Sequence, residues 1–313
     1  MKVKELFEMW LNKYVKPSVK IRSYNKYEFV VKGYINPLIG DLTLSECNCA
    51  MMQDYVCKLL NTNSYKTNTP LATNTVYGIV QVLKQGFKLA LELELIIKDP
   101  TLKVKLPPAM EKEVLALTRE EQKIIENYCL SNPKTNYIGI IISLYTGIRL
   151  GELLALTWNN IDFDKKLMMI KKTSYSTKIE GKYVIVVDKP KTKKSNRVIP
   201  LPDKLVSLLM LHKNNSKSDY IISTRNNTIV EVRSYQRTFD SILSKCNIKH
   251  YNYHCLRHTF ATRALELGMD IKTLSEILGH TNVSITLNRY AHSLLEHKKS
   301  EMDKLSRLLC CVK

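Results

Sequence analysis

Residues 138–172 read IGIIISLYTGIRLGELLALTWNNIDFDKKLMMIKK, and a change of rhythm within them decides the fold class. Ile138 to Leu144 predicts an apolar helix, Gly147 and Gly151 bracket an arginine just beyond it, and helical character runs on to about Trp158. Leu167 to Lys172 is instead a short apolar run of strand length. Tyr183 to Asp188 and Arg197 to Leu201 repeat it, separated by the turn signals Gly181 and Lys189-Pro190-Lys191-Thr192. The three runs predict a small three-stranded antiparallel sheet with a lysine-rich turn. From Pro202 the helical pattern returns, so the expected fold is mainly α, with the sheet inserted to make a mixed α/β domain.

Upstream, Thr118-Arg-Glu-Glu121 is a capping box in which Glu121 returns a hydrogen bond to the Thr118 amide, so a helix should start there. Asp99-Pro100 and Pro107-Pro108 interrupt the pattern before it, because proline lacks an amide donor and displaces its predecessor from helical geometry. Ahead of them, Val3, Leu6, Phe7, Trp10, Leu11 and Tyr14 share one helical face closed by Pro17. Tyr24 to Tyr34, Ala50 to Leu60 and Thr73 to Ile97 predict three more helices. The expected layout is a helical domain over 1–106, a linker over 107–117 and a second domain over 118–313, ending in a tail helix over about 291–313.

The chain has 313 residues, with 48 Lys and Arg against 29 Asp and Glu, for a formal net charge of +19. Residues 1–106 hold fifteen basic and nine acidic groups, so both halves are basic and both are expected to face one polyanion. An apolar content of 44% excludes disorder as the main description. The sequence lacks a spanning-length apolar stretch or a signal-peptide core, which predicts a cytoplasmic protein with no membrane partner. The eight cysteines form no CxxC pair and no zinc-type Cys/His spacing, so mostly buried, reduced thiols are expected.

Polar chemistry interrupts the apolar pattern in four places: Arg149 between its glycines, Lys191 in the basic turn, His254 and Arg257 three residues apart, and His280 followed ten residues later by Tyr290. Singly, each reads as a surface or packing residue. Jointly they supply what metal-free phosphodiester cleavage requires. Two arginines can clamp non-bridging oxygens and oppose transition-state charge, and lysine or histidine can protonate a leaving oxygen. A tyrosine hydroxyl, with an ordinary pKa of about 10, can attack when a base or positive potential activates it. Asp162 and Asp164 make no three-carboxylate cluster for paired magnesium ions, and no P-loop pattern is present, so no cofactor is expected.

TGIRLGELLALTWNNIDF (146–163), KPKTKKSNRVIPL (189–201), HCLRHTFATRALELG (254–268) and LGHTNVSITLNRY (278–290) together closely resemble the tyrosine recombinase (phage integrase) family, in order and approximate spacing. GYINPLIGDLTL (33–44) resembles, more weakly, its helical, SAM-like core-binding domain. The resemblance implies Tyr290 as the nucleophile that joins a 3′ phosphate, Arg149 and Arg257 as the phosphate clamp, and Lys191 as general acid. It implies His254 as proton acceptor, His280 as a hydrogen-bond donor to the scissile phosphate, and Glu152 as a supporting acidic residue. His258 is expected on the wrong helix face. It further implies a clamp on double-stranded DNA core sites and a homotetramer on two duplexes with a Holliday-junction intermediate. It leaves open a directionality factor or a second recombinase as a further partner. The core-binding pattern begins within the first few residues, so the expected form is a short one without an arm-binding domain. The tail helix carries Leu295, Met302, Leu305 and Leu309 near heptad spacing, and two packings stay open: on its own domain, or exchanged onto a neighbouring protomer.

Two other functions use parts of the same pattern. A type IB topoisomerase would relax DNA with related groups and no strand exchange, and a non-catalytic regulator would use the basic surface alone.

Overall fold

The computed structural model describes residues 1–64, 68–108, 115–132, 136–189, 196–280, 282–289, 302–303 and 306. They form two compact units, Met1–Lys112 with Thr177–Lys182, and Glu113–Ser176 with Tyr183–Lys313.

The first unit is helical: α1 (Val3–Met9), α2 (Ile21–Val30), α3 (Asn36–Ile39), α4 (Cys49–Leu60) and α5 (Thr73–Glu92). Its core joins Leu6 and Phe7 of α1 to Tyr55 of α4 and to Val76, Ile79, Leu83 and Phe87 along one face of α5. The Asn48 side chain accepts from the Met51 amide and starts α4. Beyond α1, Trp10–Val15 continues as π-helix, with Lys16 N–H donating to Leu11 O at 2.9 Å. That wider turn corrects the expected face. Val15 is buried where α periodicity selects Tyr14, which is 41% exposed, because each π turn absorbs an extra residue.

The second unit begins with α6 (Arg119–Ser131), capped as its sequence predicts: the Thr118 hydroxyl accepts from the Glu121 amide at 3.1 Å, and the Thr118 amide donates to Glu121 Oε2 at 2.9 Å. The apolar α7 (Ile138–Thr146) runs through the core and α8 (Leu150–Leu154) follows directly. Strands β1 (Ile161–Asp162), β2 (Leu167–Ile170) and β5 (Arg197–Pro200) make a three-stranded antiparallel sheet in the order β1-β2-β5, with Met168 opposite Ile199 and both buried. Strands β3 (Thr173–Ile179) and β4 (Lys182–Asp188) form a separate pair, of which Thr177–Lys182 counts with the first unit. Helices α9 (Asp203–Asn214), α10 (Val232–Lys245), α11 (Cys255–Glu266), α12 (Ile271–Leu278) and α13 (Val283–Arg289) complete the unit.

The small antiparallel sheet is therefore present with a different membership. Tyr183–Asp188 pairs with Thr173–Ile179, and β1 takes the third place beside β2 and β5. The cause is the turn at Glu180 (φ 48°) and Gly181 (φ 83°), whose two positive φ values suit a tight two-residue hairpin. Of the described cysteines, Cys129 and Cys255 are buried, Cys47 and Cys246 half-buried, and Cys49 and Cys57 exposed, so burial is less general than expected. Among the described residues no helix is long and apolar enough to cross a membrane. The tail-helix expectation over 291–313 lies outside the described residues except for 302, 303 and 306.

Candidate active site

The site is organised by the end of one helix. Gly279 stops α12 in the left-handed conformation (φ 66°), with its amide bonded to Glu276 O and the His280 amide to Ser275 O, both at 3.0 Å. This closure leaves the carbonyls of residues 277, 278 and 279 without helical partners, at the negative end of the helix dipole. Three arginines from three different elements take one each. Arg197 Nε donates to Ile277 O at 2.5 Å, Arg257 Nη2 to Leu278 O at 2.8 Å, and Arg149 Nη2 to Gly279 O at 3.1 Å.

Each arginine is also held from a second side. Gly147 ends α7 in the left-handed region (φ 61°), and its carbonyl accepts from Arg257 Nη1 at 2.9 Å. Arg257 is only 2% exposed, on the first turn of α11. Arg149, at the N-cap of α8, donates its amide to Glu152 Oε2 at 3.1 Å and Nη1 to Glu152 Oε1 at 2.9 Å. Arg197, at the head of β5, meets the same carboxylate in bidentate fashion, Nη1 to Oε1 at 3.1 Å and Nη2 to Oε2 at 2.8 Å.

Glu152 is thus a buried carboxylate between two guanidinium groups. Burial alone would push its pKa up; the bonds and charge of Arg197, then of Arg149, outweigh it and hold the group below the usual carboxylate range. Three guanidinium groups against one carboxylate leave the cluster positive, suited to a phosphate that gains charge during transfer. Arg149 keeps 36% of its side chain exposed, whereas Arg197 keeps 5%.

His280 leaves the same turn, and its Nδ1 lies 2.7 Å from the hydroxyl of Thr286, a residue 1% exposed on α13. His254 occupies the N-cap position of α11, three residues before Arg257, is exposed, and stands edge-to-face with His258 at 4.7 Å between ring centres. His258, expected on the wrong face, therefore touches a member of the set. The structure gathers Arg149, Glu152, Arg257 and His280 around one turn and puts His254 on the helix that carries Arg257. Lys191 and Tyr290 lie outside the described residues.

Arg197 and Thr286 were missed in the sequence. The available signal was slight: a charge heading the apolar run RVIPL, and a hydroxyl inside the helical run SITL. A cavity of about 970 Å³ bounded by Lys217, Arg225, Arg237 and Lys245 shares no residue with the cluster. Among the described residues no group of three or more His, Cys, Asp or Glu could hold a metal ion.

Comparison with known proteins gives consistent matches along the chain. Residues 116–297 match the Phage integrase family, and residues 2–60 match the phage integrase N-terminal SAM-like domain. A XerC-like tyrosine recombinase of Caldanaerobacter subterraneus subsp. tengcongensis is 28% identical, over 97% of this chain and 82% of that protein. Among solved structures, the Tn1549 transposon integrase in complex with a circular intermediate DNA superposes with a TM-score of 0.82 at 22% identity, covering 97% of this chain and 99% of the other. The lambda integrase tetramer bound to a Holliday junction superposes with a TM-score of 0.67 at 15% identity, over 90% and 78%. At those identities the two structures establish the fold.

Proposed function

The chain belongs to the phage integrase family and is a tyrosine recombinase, an enzyme of site-specific DNA strand cleavage and rejoining, and on that premise we propose how its own residues divide the work. Arg149 and Arg257 hold the scissile phosphate of double-stranded DNA, and His280 donates to one of its oxygens. Tyr290 attacks the phosphorus to form a 3′-phosphotyrosyl bond, the 5′ oxygen leaves with a proton from Lys191, and His254 accepts the tyrosine proton. Glu152 supports Arg149. Rejoining reverses these steps with a 5′ hydroxyl from the partner strand.

The observation that carries this reading is the three-carbonyl turn. It fixes two arginines from separate helices beside His280, ten residues ahead of Tyr290. Arginine is suited to the task because its fork is planar and permanently charged, and bonds to main-chain oxygens set its plane before substrate arrives.

In this reading, residues 1–106 are the core-binding domain, 107–117 the linker and 118–313 the catalytic domain. The protein works in the cytoplasm as a homotetramer on two duplexes, through a Holliday junction, with residues 291–313 docked on a neighbouring protomer. The lambda integrase tetramer, an assembly of the same fold, supports the oligomer. Directionality factors or a second recombinase would act on this assembly.

The test is covalent capture. Wild-type protein incubated with a randomised library of nicked duplexes should retain DNA through denaturation, and Tyr290→Phe should retain none. No adduct with wild type, or an equal one with Phe, overturns the assignment. Truncation after residue 293 should preserve cleavage and lose synapsis, and normal recombination by that protein would remove the docking role of the tail.

A further inference from the structure

Arg197 carries a guanidinium buried to 5% exposure, and burying such a charge is costly unless it is fully engaged. All three of its nitrogens donate, two to Glu152 and one to Ile277 O. Gly279 allows the approach, since a Cβ there would lie 3.0 Å from Arg197 Cδ and 3.1 Å from its Nη1.

Among the described residues the Arg149 guanidinium has two holds; one is shared with Arg197 and the other lies in the turn that Arg197 also grips. The first is Glu152 Oε1, an atom that also accepts from Arg197 Nη1, while Arg197 Nη2 binds the other oxygen. A carboxylate turns easily about its last torsion unless both oxygens are pinned; the Arg149 amide also reaches Oε2, at 3.1 Å, so what Arg197 adds is a bidentate hold from outside the α8 turn, independent of the residue being aimed. The second is Gly279 O, two residues beyond the carbonyl that Arg197 Nε grips. We propose that Arg197 is a positioning residue for strand cleavage: it locks Glu152 and the 277–279 turn, and so sets the angle at which Arg149 meets the scissile phosphate. The proposal rests on reading Arg149 as part of the phosphate clamp.

A residue that acts through the clamp matters only while the phosphate carries charge to be clamped. Replacing one non-bridging oxygen by methyl gives a neutral methylphosphonate linkage, which removes much of the demand for a correctly aimed arginine. A residue that merely holds the fold together would be needed equally for both linkages.

The experiment uses one nicked duplex recovered by covalent capture with wild type, made with a phosphodiester or a methylphosphonate at the scissile position. Adduct formation is timed for wild type, Arg149→Ala, Arg197→Met and Arg197→Lys. On the phosphodiester, Arg197→Met should be slower by about 100-fold, the scale of loss for a misplaced catalytic group, and Arg197→Lys should fall between it and wild type. On the methylphosphonate the deficit of both variants should shrink below about 10-fold. A deficit of equal size on the two linkages, whether it comes from lost folding or lost binding, overturns the proposal. Arg149→Ala separates the premises: if it too gains no relief, the clamp reading fails; if it is relieved and the Arg197 variants are not, only the Arg197 inference falls.

Discussion

Gly147 is the position where one added methyl group should do most harm. It sits at φ 61°, and a Cβ there would lie 2.5 Å from Phe260 Cδ1 and 2.7 Å from Leu278 Cδ2. Two penalties combine in Gly147→Ala. The left-handed conformation costs a non-glycine residue about 1–2 kcal/mol, and forcing a methyl into a packed contact costs about 1–3 kcal/mol more. The expected loss is about 2–5 kcal/mol, which for a unit of this size lowers the melting temperature by about 10 °C. Gly279→Ala is the internal control. Its φ is 66°, and its Cβ would meet only the Arg197 side chain, at 3.0 Å and beyond, a milder contact than the 2.5 Å at Gly147, so it should lose the conformational cost of about 1–2 kcal/mol plus a smaller packing cost, less in all than Gly147→Ala. The Gly147 carbonyl also holds Arg257, so at temperatures where Gly147→Ala remains folded its adduct formation should still be slowed. Thermal unfolding of both variants, with adduct timing on the folded fraction, checks the argument. Equal destabilisation of the two would refute the packing part, and a change under about 0.5 kcal/mol in both would refute the conformational part as well.

Acid should expose the role of Glu152. Its folded-state pKa is depressed, so its stabilisation is present above the unfolded value of about 4.3 and is lost as pH falls through the lower folded value. The melting-temperature gap between wild type and Glu152→Gln should therefore be widest near neutrality and narrow below about pH 4, and a pH-independent gap would contradict the ion-pair account. Arg149→Ala and Arg257→Ala should slow adduct formation far more than they weaken DNA binding, since each removes one of 48 lysines and arginines while both belong to the proposed phosphate clamp; equal losses in a mobility-shift assay and a cleavage assay would contradict that division. Maleimide should label Cys49 and Cys57 in the native protein, while Cys129 and Cys255, whose thiols burial pushes up to about 12, react only on unfolding. Peptide mass spectrometry reads the order, and early labelling of Cys129 would mean the core opens more readily than its packing implies.

What was legible in the sequence was local. The Thr118 capping box, the apolar α7 and the glycine that ends it each declare themselves within a few residues, because helix ends and periodicity are set by near neighbours. What was not legible depended on backbone geometry or distant pairing. Thr173–Ile179 reads TSYSTKI, too polar to announce a strand, and it pairs only because the Glu180-Gly181 turn folds β4 back on it. The shift from Tyr14 to Val15 follows from a π turn that α periodicity does not contain.

The candidate site divides along the same line. Arg149, Glu152, Arg257 and His280 were picked out as side chains, by type and by resemblance, yet what assembles them is main chain: three carbonyls left over when Gly279 closes α12. Carbonyls have no letter in a sequence, and Arg197 lies 45 residues from the carboxylate it locks, so neither the meeting point nor its third arginine could be read in advance. The side chains of Ile277 and Leu278 are free to change provided the helix still ends at residue 279, because the arginines bond to oxygens that every residue carries. Moving that end by one residue would change which carbonyls face which guanidinium group and misalign all three together. A one-residue deletion within 271–278 should therefore abolish adduct formation, whereas Ile277→Val should leave it close to wild type. If the deletion were tolerated, the arginines would be held by something other than the helix end.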